Sequence, residues 1–191
     1  MRIRTVLFFL WGLLSVVELH AQTRQYMSFQ GISLGKGLEE FVLQMETEGF
    51  SLIGYRRDVA VMEGVFAESD CQMLVYATPS SKLVWKVVLL APQEEAWKFL
   101  ENDYRRYKSL YSEKYGEPSK SFEFFAEPYK EGQEIKAVKM GQCFYSSCWE
   151  QENGRIIVEI FPSCRITFIY EDSYHAAIEA RERITGIMED I

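Results

Sequence analysis

Cysteine and histidine are the side chains through which this 191-residue chain could most readily bind a metal or attack a substrate. The cysteines are Cys71, Cys143, Cys148 and Cys164, and no two of them have the CxxC spacing of a zinc site. His20 lies in an N-terminal segment that we expect to be removed, so His175 would be the single available base. Because His175 falls in the first turn of a predicted helix, we interpret it as a surface residue.

Carboxylates are plentiful, but their positions indicate helix starts rather than an acid–base pair. Glu39-Glu40, Glu94-Glu95 and Glu171-Asp172 each precede or begin a predicted helix, where negative charge is favourable. The glycines before residue 38 lack both the GxGxxG pattern and a phosphate-loop lysine. The sequence therefore predicts no catalytic residue, no metal ligand and no cofactor, and it favours a non-enzymatic role.

The stretch "CWEQENGRIIVEIFPSC" (residues 148–164) is typical of a β-hairpin. Asn153-Gly154 between apolar runs predicts a two-residue turn, with Glu152 opposite Arg155. In that register Cys164 faces Cys143, which makes Cys143–Cys164 the disulfide candidate. If the Pro-Ser pair at 162–163 is a tight turn, the two Cα atoms are about 9–10 Å apart, too far for a bridge. Both arrangements remain open, and Cys71 and Cys148 are either paired or free.

The same hairpin predicts a candidate binding face. Side chains alternate along a strand, so Cys143, Tyr145 and Trp149 share one face with the even-numbered apolar residues from 156 to 160. The opposite face would carry Phe144, Arg155, Ile157, Glu159 and Phe161. This mixture of apolar and charged residues is typical of a binding surface on a protein that is also soluble alone. The alternative is that another layer or a dimer partner covers this face.

The N-terminus predicts export. Residues 1–21 combine two arginines, an apolar run and a small residue before Gln22, the pattern of a cleaved signal peptide. The chain has a net charge of −7, and residues 1–21 contribute +1 (Arg2, Arg4 and Glu18), which leaves −8. An acidic chain without a basic cluster disfavours nucleic acid and anionic lipid as partners. No later segment is apolar enough to span a bilayer, so we expect a periplasmic or secreted protein.

Periodicity predicts three helices among many strands. A first helix carries Leu38, Phe41, Val42 and Met45 on one face and ends at Gly49. A second, opened by Pro92 and running to Tyr115, carries an aromatic stripe (Trp97, Leu100, Tyr104, Tyr107 and Tyr111) that we expect to pack on a sheet. A third begins near Asp172 or Ser173, with Tyr174, Ala177, Ile178 and Ile184 on its buried side. Residues 51–91 and 121–172 are strand-rich, including 135–150, with an exposed loop at 126–134.

The two strand-rich regions are similar to each other. "MLVYATPSSKLVWKVVL" (residues 73–89) aligns with "IIVEIFPSCRITFIYE" (156–171) across a Pro-Ser turn, and "MEGVF" (62–66) with "MGQCF" (140–144) upstream. We predict an antiparallel α+β fold built from two duplicated units, each a helix with three or four strands, plus a C-terminal helix. The units would be residues 22–91 and 92–191, packed as one compact domain.

This arrangement resembles that of β-lactamase-inhibitor proteins and of small outer-membrane assembly proteins. The resemblance depends on "GISLG" (31–35), the helix ending at Gly49 and the paired Pro-Ser blocks, and it covers most of the mature chain. The chain departs from the pattern because it lacks a lipid-attachment cysteine and adds a C-terminal helix. The resemblance implies a binding surface on an open sheet face rather than a catalytic pocket.

The leading hypothesis is an exported, non-enzymatic protein that binds a macromolecular partner in the cell envelope, as an inhibitor or assembly factor. The partner would be a protein or another envelope component, and the sequence does not predict the oligomeric state. Two alternatives are a small-ligand carrier that uses an aromatic sheet face, and a carboxylate-based hydrolase of envelope glycans or peptides. An enclosed apolar cavity would favour the carrier, and two close carboxylates in a pocket would favour the hydrolase.

Overall fold

The computed structural model describes residues 25–189, and the predicted signal peptide (1–21) lies outside them. The described chain forms an α+β fold with an eight-stranded antiparallel sheet, a two-stranded sheet and four helices. In chain order the elements are β1 (Ser28–Phe29), β2 (Ile32–Ser33), α1 (Leu38–Thr47), β3 (Ser51–Arg56), β4 (Val59–Phe66), β5 (Ser69–Ala77), β6 (Val84–Leu90), α2 (Trp97–Tyr115), β7 (Lys120–Phe125), α3 (Glu134–Lys139), β8 (Cys143–Gln151), β9 (Gly154–Phe161), β10 (Arg165–Asp172) and α4 (Ser173–Glu189).

The large sheet has the order β3-β4-β5-β6-β10-β9-β8-β7. The pair β6–β10 lies at the centre of this sheet. The first half of the chain supplies the strands from the free edge β3 to β6, and the second half supplies those from the free edge β7 to β10. Every pairing is antiparallel, and short turns join β3 to β4, β4 to β5, β5 to β6, β8 to β9 and β9 to β10. The prediction of an antiparallel α+β fold with a C-terminal helix is confirmed.

Duplication of the two halves is not confirmed. The aligned blocks 73–89 and 156–171 do cover the inner hairpins β5–β6 and β9–β10. However, residues 62–66 end β4, whereas residues 140–144 precede and begin β8, so the upstream alignment matches the end of one strand with the start of another. The second half also contains α3, which has no counterpart between β3 and β4. The duplication and the boundary between residues 91 and 92 stay predictions.

The first two helices bury the faces that their periodicity predicts. In α1 the buried residues are Leu38, Phe41, Val42 and Met45, and Gly49 has a φ of 92° just beyond the helix. In α2 they are Leu100, Tyr104, Tyr107 and Tyr111, which pack on the sheet with the half-buried Trp97.

The start of α2 differs from the prediction, because the helix begins at Trp97 rather than at Pro92. Ala91 donates its N–H to the carbonyl of Ile166 (3.0 Å), and Glu94 donates to that of Cys164 (2.9 Å). These bonds hold the segment extended beside β10, so its N–H groups are satisfied without a helical turn.

Helix α3 corrects the strand predicted from residue 135. Its buried residues are Ala137 and Val138, and it packs on β8. The carboxylate of Glu134 accepts the N–H of Gly132 and the hydroxyl of Tyr129, each at 2.9 Å, which stabilises the start of the helix. A helix of six residues is too short for a clear 3.6-residue period, so the sequence pattern favoured a strand.

Helix α4 begins at Ser173, as expected, but buries a different residue. His175 is 3% exposed, whereas Tyr174 is 41% and Ile184 is 59% exposed. Farther along the helix, Ala177 is exposed, Ile178 is half-buried, and the carboxylate of Glu182 contacts the β5–β6 turn. This carboxylate accepts the N–H groups of Ser80 (2.7 Å) and Ser81 (3.1 Å) in the β5–β6 turn.

The β8–β9 hairpin has a register two residues from the predicted one. Glu150 lies opposite Arg155 and Gln151 opposite Gly154, so the turn is formed by residues 152–153. Cys148 consequently faces Ile157. Because a shift of two residues preserves the alternation of side chains, the predicted division into two faces is confirmed.

Candidate interaction surface

Four exposed phenylalanines lie on β7, β8 and β9. We call Phe122, Phe124, Phe144 and Phe161 the phenylalanine patch. Between 44% (Phe144) and 52% (Phe122) of each side chain is exposed. Large apolar groups usually avoid water, so several of them together on one face suggest that this face is covered in a complex.

Strand register places these rings on one face of the sheet. Phe122 pairs with Ser146, and Phe124 pairs with Phe144, so all three rings lie on the same side. Tyr145 and Trp149 point to the other side, where they pack in the core beneath α2. The patch therefore occupies the face of the second half that is turned away from α2, and it reaches the free edge strand β7.

Three of the four rings, those of Phe122, Phe124 and Phe144, also form ring contacts. Phe124 and Phe144 are stacked, with ring centroids 5.1 Å apart and planes inclined by 13°. Phe122 lies 6.5 Å from Phe124 in an edge-to-face arrangement. These contacts restrict the rotamers of the rings, so covering the rings would cost less side-chain entropy than covering freely rotating side chains.

The five residues predicted for the binding face share this side of the sheet. Phe144 and Phe161 belong to the patch itself. Ile157 and Glu159 are half-buried beside it, and Arg155 is exposed and forms an ion pair with Glu171 at 2.7 Å. The predicted alternation therefore placed these five residues on one face, although the predicted register was wrong by two residues.

Sequence reasoning missed Phe122 and Phe124. The signal was present in "SFEFFA" (residues 121–126), where two phenylalanines lie two residues apart around Glu123. On the core side, Glu123 accepts hydrogen bonds from Lys108 (2.6 Å) and Arg105 (3.1 Å). That alternation indicates a polar and an apolar face, but only the pairing of β7 with β8 assigns the apolar one to the patch.

Glu159 is the acidic residue at the border of the patch. Burial raises the pKa of its carboxyl group, and a hydrogen bond with Ser146 opposes that shift. On the adjacent strand β10 it pairs with Thr167, whose buried hydroxyl has no hydrogen-bond partner among the described residues. The centre of this face is therefore poorly solvated, which strengthens any polar contact made there.

Lys86 limits the face on the side of α4. Its Nζ lies 4.2 Å from the centroid of the Trp85 ring and 4.5 Å from that of Tyr76. Burial lowers the pKa of Lys86, while the nearby carboxylates of Glu171 and Glu179 act in the opposite direction. Lys86 and Glu171 therefore make the part of this face nearest to α4 charged rather than apolar.

All four cysteines are free in the structure. Cys164 is buried and closes a tight turn, because its N–H donates to the carbonyl of Phe161 at 2.9 Å. This is the turn that sequence analysis identified as unfavourable for a bridge to Cys143. The Cys143–Cys164 disulfide is not formed here and stays a prediction.

His175 is the one histidine among the described residues. His175 and Asp172 form a buried pair beside the backbone of Met27. Within residues 25–189, no three His, Cys, Asp or Glu side chains converge as metal ligands would. The helices in the same range include none that is both long and apolar enough to cross a membrane.

Comparisons with protein-family models, with curated proteins and with solved structures find no match to this chain.

Proposed function

We propose that this is an exported, non-enzymatic binding protein whose phenylalanine patch docks on a protein of the cell envelope. The observation that carries the proposal is the cluster of four phenylalanines, each at least 44% exposed, on one face of the sheet. Export is supported by the signal-peptide pattern of residues 1–21.

Aromatic clusters are favourable centres for protein interfaces. Phenylalanine is enriched in the buried core of interfaces, and charged residues are usual at the rim. Here the stacked Phe124 and Phe144 would form the centre, while Arg155 and Glu159 would lie toward the rim. A protein partner with an apolar contact surface fits such a patch.

Other classes of partner fit less well. The predicted mature chain has a net charge of −8, obtained by removing the +1 of residues 1–21 from −7. Nucleic acids and anionic lipid surfaces carry negative charge and would be repelled. The partner's contact surface should therefore be apolar at its centre. Such a partner does not need a cluster of basic residues on this chain.

Site-specific photo-crosslinking tests the proposal. A photoreactive phenylalanine analogue replaces Phe144 in one variant and Phe99 in another, and each is exported in the native host before irradiation. Phe99 is the matched control because it is 60% exposed on α2, on the other side of the sheet. We expect one envelope protein to be crosslinked from position 144 and not from position 99.

Substitution then tests whether the patch supplies the binding energy. Phe144→Asp and Phe161→Asp should each reduce co-purification of the crosslinked protein at least about tenfold, whereas Phe99→Asp should not. Thermal unfolding of each variant verifies that the fold persists. Identical adducts from positions 144 and 99, or full binding by both patch variants, would refute the proposal.

A further inference from the structure

A recess lies on the helix side of the sheet, away from the phenylalanine patch. It has a volume of about 310 Å³ and lies between the β1–β2 turn and the C-terminal half of α2. Its principal side chains are Phe29, Phe66, Tyr111, Lys114, Tyr115 and Tyr170. We call it the tyrosine cavity. Its volume is at the lower end of small-molecule sites, which suits a ligand of one ring with its substituents.

The walls of the tyrosine cavity are aromatic. The ring of Phe29 lies 5.0 Å from that of Tyr170 and 5.6 Å from that of Phe66. On the helix side, Tyr115 lies 5.8 Å from Tyr111. A planar ring can stack against such walls or meet their edges, so the lining selects flat, unsaturated ligands.

Two buried hydroxyls at the base leave one proton without an acceptor. The hydroxyl oxygens of Tyr111 and Tyr170 are 2.5 Å apart, and the side chains are 9% and 6% exposed. Burial raises the pKa of both, so both carry their protons at neutral pH. One hydroxyl donates to the other. The second proton has no acceptor among the described residues, and a ligand oxygen would satisfy it.

The mouth of the cavity carries a positive charge. Lys114 is exposed near the end of α2, with Nζ 5.0 Å from the centroid of the Tyr115 ring. A carboxylate at the mouth would pair with this ammonium and keep contact with water, whereas a carboxylate at the base would lose its hydration. The base therefore suits a neutral oxygen and the mouth suits an anion.

We propose that the tyrosine cavity binds a small aromatic carboxylate that carries a hydrogen-bonding oxygen at the opposite end of the ring. The carboxylate lies beside Lys114, the ring packs between Phe29 and Tyr115, and the far oxygen accepts the spare tyrosine proton. This site is independent of the phenylalanine patch, so it exists whether or not the patch binds a protein.

The test uses 4-hydroxybenzoate as the probe, with benzoate and 4-hydroxybenzamide as comparison ligands. Binding to the isotope-labelled protein, residues 22–191, is followed by amide chemical shifts. We expect saturable binding of 4-hydroxybenzoate with a Kd below about 5 mM and shifts centred on Gly31 and Tyr115. Benzoate lacks the far oxygen and 4-hydroxybenzamide lacks the charge, so each should bind about fivefold more weakly.

Variants separate the two polar contacts. Lys114→Met should remove the preference for 4-hydroxybenzoate over 4-hydroxybenzamide, and Lys98→Met, exposed on the same helix, should leave it unchanged. The double variant Tyr111→Phe, Tyr170→Phe should remove the preference over benzoate, since neither hydroxyl remains. Replacing both partners of a buried hydrogen bond is often nearly neutral, and a thermal melt checks folding.

Three outcomes would overturn the proposal. These are no saturable binding of any probe, shifts centred on Phe144 and Phe161 instead, or ligand preferences that neither Lys114→Met nor the double variant alters. If the double variant fails to fold, Lys114→Met still decides, because Lys114 is exposed and its replacement leaves the core intact.

Discussion

His175 Nδ1 lies 2.7 Å from Asp172 Oδ1, and the two residues are 3% and 0% exposed. The same carboxylate accepts the backbone N–H of His175 through Oδ1 and that of Met27 through Oδ2, each at 2.9 Å. One buried side chain therefore joins the end of β10, the start of α4 and the N-terminal segment. Its position explains why a histidine expected at the surface is buried.

Replacing this carboxylate should destabilise the fold strongly. In Asp172→Asn an amide NH₂ faces a backbone N–H, so at least one buried donor loses its acceptor. We expect the free energy of unfolding in urea to fall by about 2–4 kcal/mol. The control is Asp70→Asn, which removes an exposed carboxylate from β5. A loss below about 1 kcal/mol would show that the contacts of Asp172 are dispensable.

Gly154 should tolerate no side chain. A Cβ at this position would lie 2.0 Å from the carbonyl oxygen of Glu171 and 2.4 Å from Cγ of Met27. Because one of these atoms belongs to the backbone, Gly154→Ala should lower the free energy of unfolding by at least about 2 kcal/mol. Gly54→Ala is the matched control, since no atom lies within 4 Å of its added Cβ. Equal stability of the two variants would contradict the close packing of β9 against β10.

We predict that replacing the carboxyl group of Glu159 with an amide stabilises the fold, and that the gain depends on pH. Burial raises its pKa in the folded state, so ionisation opposes folding. This penalty is fully present above the folded-state pKa and disappears as the pH falls below the unfolded-state value. Glu159→Gln should therefore raise the urea midpoint at about pH 7.5 and change it less at about pH 3.5.

The control for Glu159 is Glu63→Gln, which removes one negative charge from an exposed position on β4. It corrects for the change in net charge, which by itself affects the stability of an acidic protein. A Glu159→Gln variant that is less stable than Glu63→Gln at the higher pH would contradict the prediction.

The free thiols of the structure and the disulfide predicted from the sequence give different thiol counts. Burial raises the pKa of Cys71 to about 11 and that of Cys143 to about 12, so few thiolates are present at neutral pH. We expect Ellman's reagent to titrate four thiols in exported protein unfolded without reductant, and to react slowly with the folded protein. Two thiols, with Cys143 and Cys164 protected, would establish the predicted bridge.

The spacing of apolar residues along the sequence was sufficient to predict much of the fold and part of the candidate surface. The spacing of Phe41, Val42 and Met45 predicted the buried face of α1, because residues three and four apart share one side of any helix. The two faces of the β8–β9 hairpin were likewise predictable, since the period of a strand is two. For that reason Phe144 and Phe161 were assigned to the exposed face despite a register error of two residues.

Contacts between segments that are distant in the sequence determined the hairpin register, the start of α2 and the extent of the phenylalanine patch. Gly154 pairs with Asp172 and closely approaches the backbone of Glu171, so packing of β9 on β10 rather than turn preference sets the hairpin register. The carbonyls of Cys164 and Ile166 hold the chain extended before α2. Phe122 joins the patch because β7 pairs with β8, more than twenty residues later in the chain. Such pairings depend on which surfaces remain to be covered once the sheet forms, and a window of neighbouring residues does not contain that information.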